Sequence, residues 1–169
     1  MGISVSKHTT INVGAGRLWT ILADDFDKVG QWARAVDASA PNTAVRAPEG
    51  AEVGGRVCQT PGFGAINETF TSFDADRRSY AFRASADKIP SFVRNITNHT
   101  SVKPLGPDKS EITVEVTADT EGIRGAMVKP MMTHKFGATI DDLFEDLREF
   151  AESGQVSEGK TKALAKASR

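Results

Sequence analysis

The chain has 169 residues, 39% of them apolar and 25% charged, with a net charge of −1. That length suits one domain with its own hydrophobic core, and the near-neutral balance argues against a role in nucleic-acid binding. Cys58 is the only cysteine, which excludes an internal disulfide, and no apolar run approaches the ~20 residues of a membrane-spanning helix.

In chain order, Ile3, Val5, Ile11 and Val13 share one parity around Lys7 and Thr9, the pattern of a half-buried strand. This opening has no apolar leader, so the expected location is cytoplasmic. Gly14-Ala15-Gly16 breaks the strand, and 17–22 begin a short helix that Asp24, Asp25 and Asp27 interrupt. Phe26, Val29 and Trp32 predict a second short helix. The stretch 37–55 is rich in Ala, Pro, Asp, Asn and Gly, with at most one strand near 42–46.

From Gly54-Gly55 onward the pattern is strand and turn. Strands are predicted at 56–60, 65–73, 79–86, 92–103 and 111–119, joined by turns such as Pro61-Gly62-Phe63-Gly64 and Asp74-Ala75-Asp76-Arg77. Ile112, Val114, Val116 and Ala118 alternate along the last of these; the opposite facing would turn Glu115 and Thr117 inward. Residues 123–153 then read as one long amphipathic helix. Phe136, Ile140, Leu143, Leu147 and Phe150 form its apolar stripe, and Asp141, Glu145, Arg148 and Glu152 lie opposite. Pro130 predicts either the helix start or a bend. In residues 155–169, Lys160, Lys162, Lys166 and Arg169 stand against Glu158 alone, which predicts a disordered basic tail after a domain of residues 1–154. The fold class is α+β: a curved antiparallel sheet of about seven strands around a long helix, with two short helices after the first strand.

Particular residues fit this order to a known family. The run Ile11-Asn12-Val13-Gly14-Ala15-Gly16-Arg17-Leu18-Trp19, followed by Asp25-Phe26 and Trp32, resembles the opening of the START-like superfamily, also called Bet v 1-like or SRPBCC. Val53-Gly54-Gly55-Arg56-Val57, followed by Gly64, Glu68, Asp74, Arg77 and Tyr80, resembles its polyketide cyclase/dehydrase-like branch. The resemblance covers residues 3–153 and implies the helix-grip fold, in which sheet and helix enclose a ligand cavity. Members include hydrophobic-ligand carriers, hormone receptors and aromatase/cyclases.

Alternation nominates the cavity wall. Ile66, Glu68 and Phe70 share a face, as do Tyr80 with Phe82, and Ile96 with Asn98. Met132, Phe136 and Ile140 lie on the inward stripe of the helix, and Phe63 tips the first of two loops, 61–64 and 88–91, expected at one end of the sheet. Glu68 is the best catalytic candidate. An inward carboxylate suits a proton donor or a hydrogen-bond anchor, and the alternative is an ion pair with Arg56 or Arg83 on adjacent strands. The resemblance implies that a glutamate at this position holds ligand through water, and that the two loops close as flaps.

His8, His99 and His134 lack ligand spacing, and Gly14-x-Gly16 lacks the rest of a phosphate loop, so neither metal nor cofactor is expected. Three functions compete. The favoured one is non-catalytic binding of a small hydrophobic or aromatic ligand for carriage, sequestration or sensing. The second is a polyketide cyclase/dehydratase-like enzyme using Glu68 as general acid or base, and the third is a surface interaction module.

Overall fold

The computed structural model describes residues 2–169. One seven-stranded antiparallel sheet holds β1 (Gly2–Ile11), β2 (Ala38–Pro41), β3 (Gly55–Thr60), β4 (Gly64–Asp74), β5 (Ser79–Ser85), β6 (Val93–Gly106) and β7 (Lys109–Thr120), in the order β1-β7-β6-β5-β4-β3-β2. Tight turns make β3 to β7 a meander, and β1 joins its far edge by pairing with β7. Helix α1 (Ala15–Trp19) continues as a π turn over Thr20–Asp24, and a 3-10 helix follows at Phe26–Gln31. These bury Leu18, Trp19, Phe26, Val29 and Trp32 at one end of the sheet. Helix α2 (Gly122–Ser153) crosses the sheet face, and no described helix is long and apolar enough to span a membrane.

Two bulges adjust which side chains point inward. Phe70 pairs with Phe82 but Ser72 pairs with Ala81, so one extra residue enters β4. The parity therefore flips, and Phe70 and Phe73 both join the core while Thr71 and Ser72 stay exposed. On β6 a similar shift lies between Arg94 and Thr97, where Asn95 adopts φ 50°, a left-handed conformation asparagine tolerates. Val93 and Ile96 both turn inward as a result. On β7, Ile112, Val114 and Ala118 are buried, while Glu115 accepts a hydrogen bond from Ser4 on the exposed side.

Helix α2 changes character along its length. In its second half Ile140, Phe144, Leu147 and Ala151 are buried at alternating spacings of four and three residues. Lys7 pairs with Asp141 at 2.5 Å, and Arg148 donates to Thr9 Oγ1 at 2.7 Å, fastening this half to β1. The helix runs through Pro130 without ending and stops at Gly154, whose φ of 75° takes the left-handed C-terminal position glycine fills at least cost.

Two expectations are corrected. The strand after the short helices lies at Ala38–Pro41 rather than near 42–46, because the Asn42 side chain accepts from Ala44 N and turns the chain there. Residues 155–169 do not fray: Glu158–Ala167 form helix α3, with Ser157 as N-cap accepting from Lys160 N at 3.0 Å.

Candidate functional site

At the α1 end, the inward faces of β3 to β6 converge on an aromatic cluster. Phe26 lies 4.2 Å from Phe70 between ring centroids, and Trp19, Phe73, Tyr80 and Phe82 complete the group. Arg56 enters this cluster from β3. Its guanidinium lies 3.9 Å over the Phe26 ring, Nη1 donates to Phe26 O at 2.7 Å, and Nε donates to Glu68 Oε2 at 2.5 Å. Of the two arrangements open to Glu68, the geometry selects the ion pair with Arg56, its partner across the strands.

Two neighbours feel the pair. The Cys58 thiol lies 3.9 Å from Glu68 Oε2, and burial, opposed by Arg56 and reinforced by Glu68, pushes its pKa up to about 12. Burial also raises Tyr80, with Arg56 and a Thr100 hydrogen bond acting the other way. Thr100 donates onward to Asn98 Oδ1 at 2.7 Å. Aromatic walls thus carry two short polar chains.

Beneath the middle of α2 lies a cavity of about 110 Å³, walled by Val114, Val116, Phe136, Ile140 and Leu143, with Asn98 and Arg34 at its polar side. Of the sequence-nominated residues, Asn98, Phe136 and Ile140 line this space. Glu68, Phe70, Tyr80 and Phe82 sit with Arg56 in the aromatic cluster instead. Ile96 and Met132 pack with Ile89, Phe92 and Phe136 in a separate apolar group below the first half of α2. Ile66 is half-buried opposite Cys58, and Phe63 is exposed at its loop tip. That loop does meet 88–91: a Cβ on Gly64 would lie 3.8 Å from Lys88 Nζ. A larger groove of about 450 Å³ opens between β1 and α2, but its Lys7, Asp141 and Arg148 already pair across it.

One polar hub escaped the sequence reading. Asp146 is 0% exposed and accepts from Arg34 N and Nη2 at 2.7 Å and from the Ser157 hydroxyl. Its hydrogen bonds, ahead of the added pull of Asp142 and Glu145, hold the Arg34 guanidinium well above its ordinary range. Gly159 of α3 lies flat on that guanidinium, where any Cβ would collide with it. Lys160 is buried beside it and donates to Val36 O at 2.6 Å. The available sign was an aspartate directly beside Leu147 on an otherwise apolar stripe.

A curved seven-stranded sheet gripping a long helix, with an apolar cavity between them, defines a START-like, Bet v 1-like protein. The chain belongs to the family described as polyketide cyclase / dehydrase and lipid transport, whose model matches residues 2–152. Solved structures of the same fold include the XoxI protein of Bacillus cereus, 15% identical, with TM-score 0.68 over 89% of this chain and 96% of that one. A START superfamily protein from Mycobacterium smegmatis is 15% identical, with TM-score 0.67 over 90% and 99%. A point mutant of norcoclaurine synthase from Thalictrum, solved with a transition-state analogue, is 15% identical, with TM-score 0.68 over 91% and 96%. No curated protein sequence matches the chain.

Proposed function

We propose that this protein binds a small hydrophobic or aromatic molecule between its sheet and α2, for carriage, sequestration or sensing. The observation that carries this reading is the partly open, mainly apolar cavity with Asn98 as its hydrogen-bonding group on the sheet. At about 110 Å³ it holds only a few waters, each taking ~30 Å³ of liquid. A larger ligand therefore needs an outward shift of the wall, and the first half of α2, which leads into that wall, is mostly exposed.

A second reading is a cyclase or dehydratase in which Glu68 serves as general acid or base. The convergence of Glu68, Arg56 and Tyr80 among aromatic rings favours it. Against it, Glu68 is already neutralised by Arg56 and does not line the cavity.

Native mass spectrometry of protein purified from its own host tests the proposal, with a denaturing run as control. The expected result is an adduct of defined mass that denaturation removes. Absence of an adduct, together with no uptake of aromatic or fatty-acyl probes, would overturn it. Glu68→Gln, compared with wild type under conditions where both remain folded, then separates the readings: binding persists in a carrier, whereas an enzyme loses turnover of the identified molecule.

A further inference from the structure

The first half of α2 points apolar side chains away from the protein. Ile123, Met127 and Met131, spaced four residues apart, form one stripe and are 82%, 75% and 52% exposed. Met132 and Phe136, on the other side, pack against the buried cluster of Ile3, Val93 and Ala118. In the second half of the same helix the outward positions are polar, as expected of a helix that merely covers a sheet: Asp141, Glu145, Glu149 and Glu152.

Charge divides at the same place. Between Gly122 and Ile140 there is no Asp or Glu, and Arg124, Lys129 and Lys135 are all basic. From Asp141 to Glu152 six carboxylates accompany one arginine. No carboxylate pairs with Arg124, Lys129 or Lys135 among the described residues, whereas Glu121, just ahead of the helix, is taken by Arg94 at 3.4 Å. The loops at this end add exposed Phe63 and Lys88, with Asp87 and Asp119 as the other acids nearby; Asp119 accepts from Asn95. Long unbranched or flexible apolar tips beside basic side chains suit a boundary between acyl chains and phosphates. Their arrangement along one side of a helix suits a plane more than a pocket.

We propose that the first half of α2 docks this protein on a membrane surface containing anionic phospholipid. Ile123, Met127 and Met131 enter the acyl boundary, and Arg124 and Lys135 meet the phosphates. The inference rests on exposure and charge alone and stands whether or not the internal cavity takes a ligand. Three inserted side chains and a few cations make the attachment reversible and salt-sensitive.

Sedimentation of the full chain with phosphatidylcholine vesicles, with and without phosphatidylglycerol, tests it. Binding is expected only with phosphatidylglycerol and is expected to fall with added salt. Arg124→Gln should weaken binding about fivefold, the equivalent of one cation near an anionic surface. Met127→Glu with Met131→Glu should abolish it with an unchanged unfolding midpoint. If that pair disturbs folding, Arg124→Gln with Lys135→Gln takes its place. Wild-type protein indifferent to phosphatidylglycerol would overturn the proposal. So would binding that survives the methionine changes, or that is lost only through Lys162→Gln with Lys166→Gln in α3. A concentration-dependent dimer that Met127→Glu dissolves, without vesicle binding, would assign the stripe to a second copy instead.

Discussion

Glu68 and Arg56 stand opposite each other on β4 and β3, both largely withdrawn from water. Removing either partner leaves a buried charge without its counter-ion, a loss of about 3–5 kcal/mol in comparable pairs. Glu68→Ala should therefore lower the urea midpoint markedly, while Arg56→Met with Glu68→Leu should recover most of the loss. Lys160 supplies a pH-dependent counterpart. Burial lowers its pKa from 10.5, with Asp37 and Asp146 opposing, so the unfolded chain holds more protons than the folded one just below 10.5. Stability from this group then rises with pH through that window. The difference in urea stability between wild type and Lys160→Met should shift toward wild type as pH climbs from neutral to 10.5, and flatten beyond. Parity along a strand sufficed to place Asn98 and Glu68 on the inward face. It gave no access to Arg34 and Asp146, which meet across 112 residues of sequence.

Helix α2 tolerates Pro130 at an exposed position in its interior, where the missing N–H leaves the carbonyl four residues earlier without its helical donor. Pro130→Ala should raise stability by up to ~3 kcal/mol and slow amide exchange in the preceding turn, as hydrogen-exchange mass spectrometry would read. Helix α3 is held by a few polar contacts with small apolar area. Gly159→Ala, which forces a Cβ into the Arg34 guanidinium, should loosen it and expose Lys160 to acetylating reagents. The strong alternations of β1, β5 and β7 and the apolar stripe of α2 were legible from the chain, because burial on one face imposes the period. The short β2 and α3 were not. Each owes its place to distant partners: β2 to its pairing with β3 and Ser39's contacts to Gly30 N and Asp27 O, α3 to Asp146 and Val36.

Taken as a whole, the protein is filled at one end by aromatic rings and open to change at the other. The aromatic cluster and the second half of α2 make the densely buried end, and the cavity lies where that packing gives way to the exposed half of the helix. Val116→Phe should project into the remaining volume. Uptake of a fluorescent naphthalene probe should fall, while stability changes by the ~1–3 kcal/mol typical of an overfilled core. Unchanged uptake would place the probe elsewhere on the molecule.

The pairing of β1 with β7 carries a consequence for how the molecule assembles. Gly2 meets Asp119 and Ile11 meets Ser110, so β1 finds its place only against a strand at the far end of the meander. The same strand is the anchor for the second half of α2 through Lys7 and Thr9. Closing such a long loop delays both events, and chains dominated by distant pairings fold slowly, in milliseconds to seconds. Until β1 docks, β7 presents an unpaired edge rich in valine and threonine, and the helix that will cover it lacks its fastenings to Lys7 and Thr9. Refolding of this protein is therefore most exposed to self-association in the interval before its first strand returns.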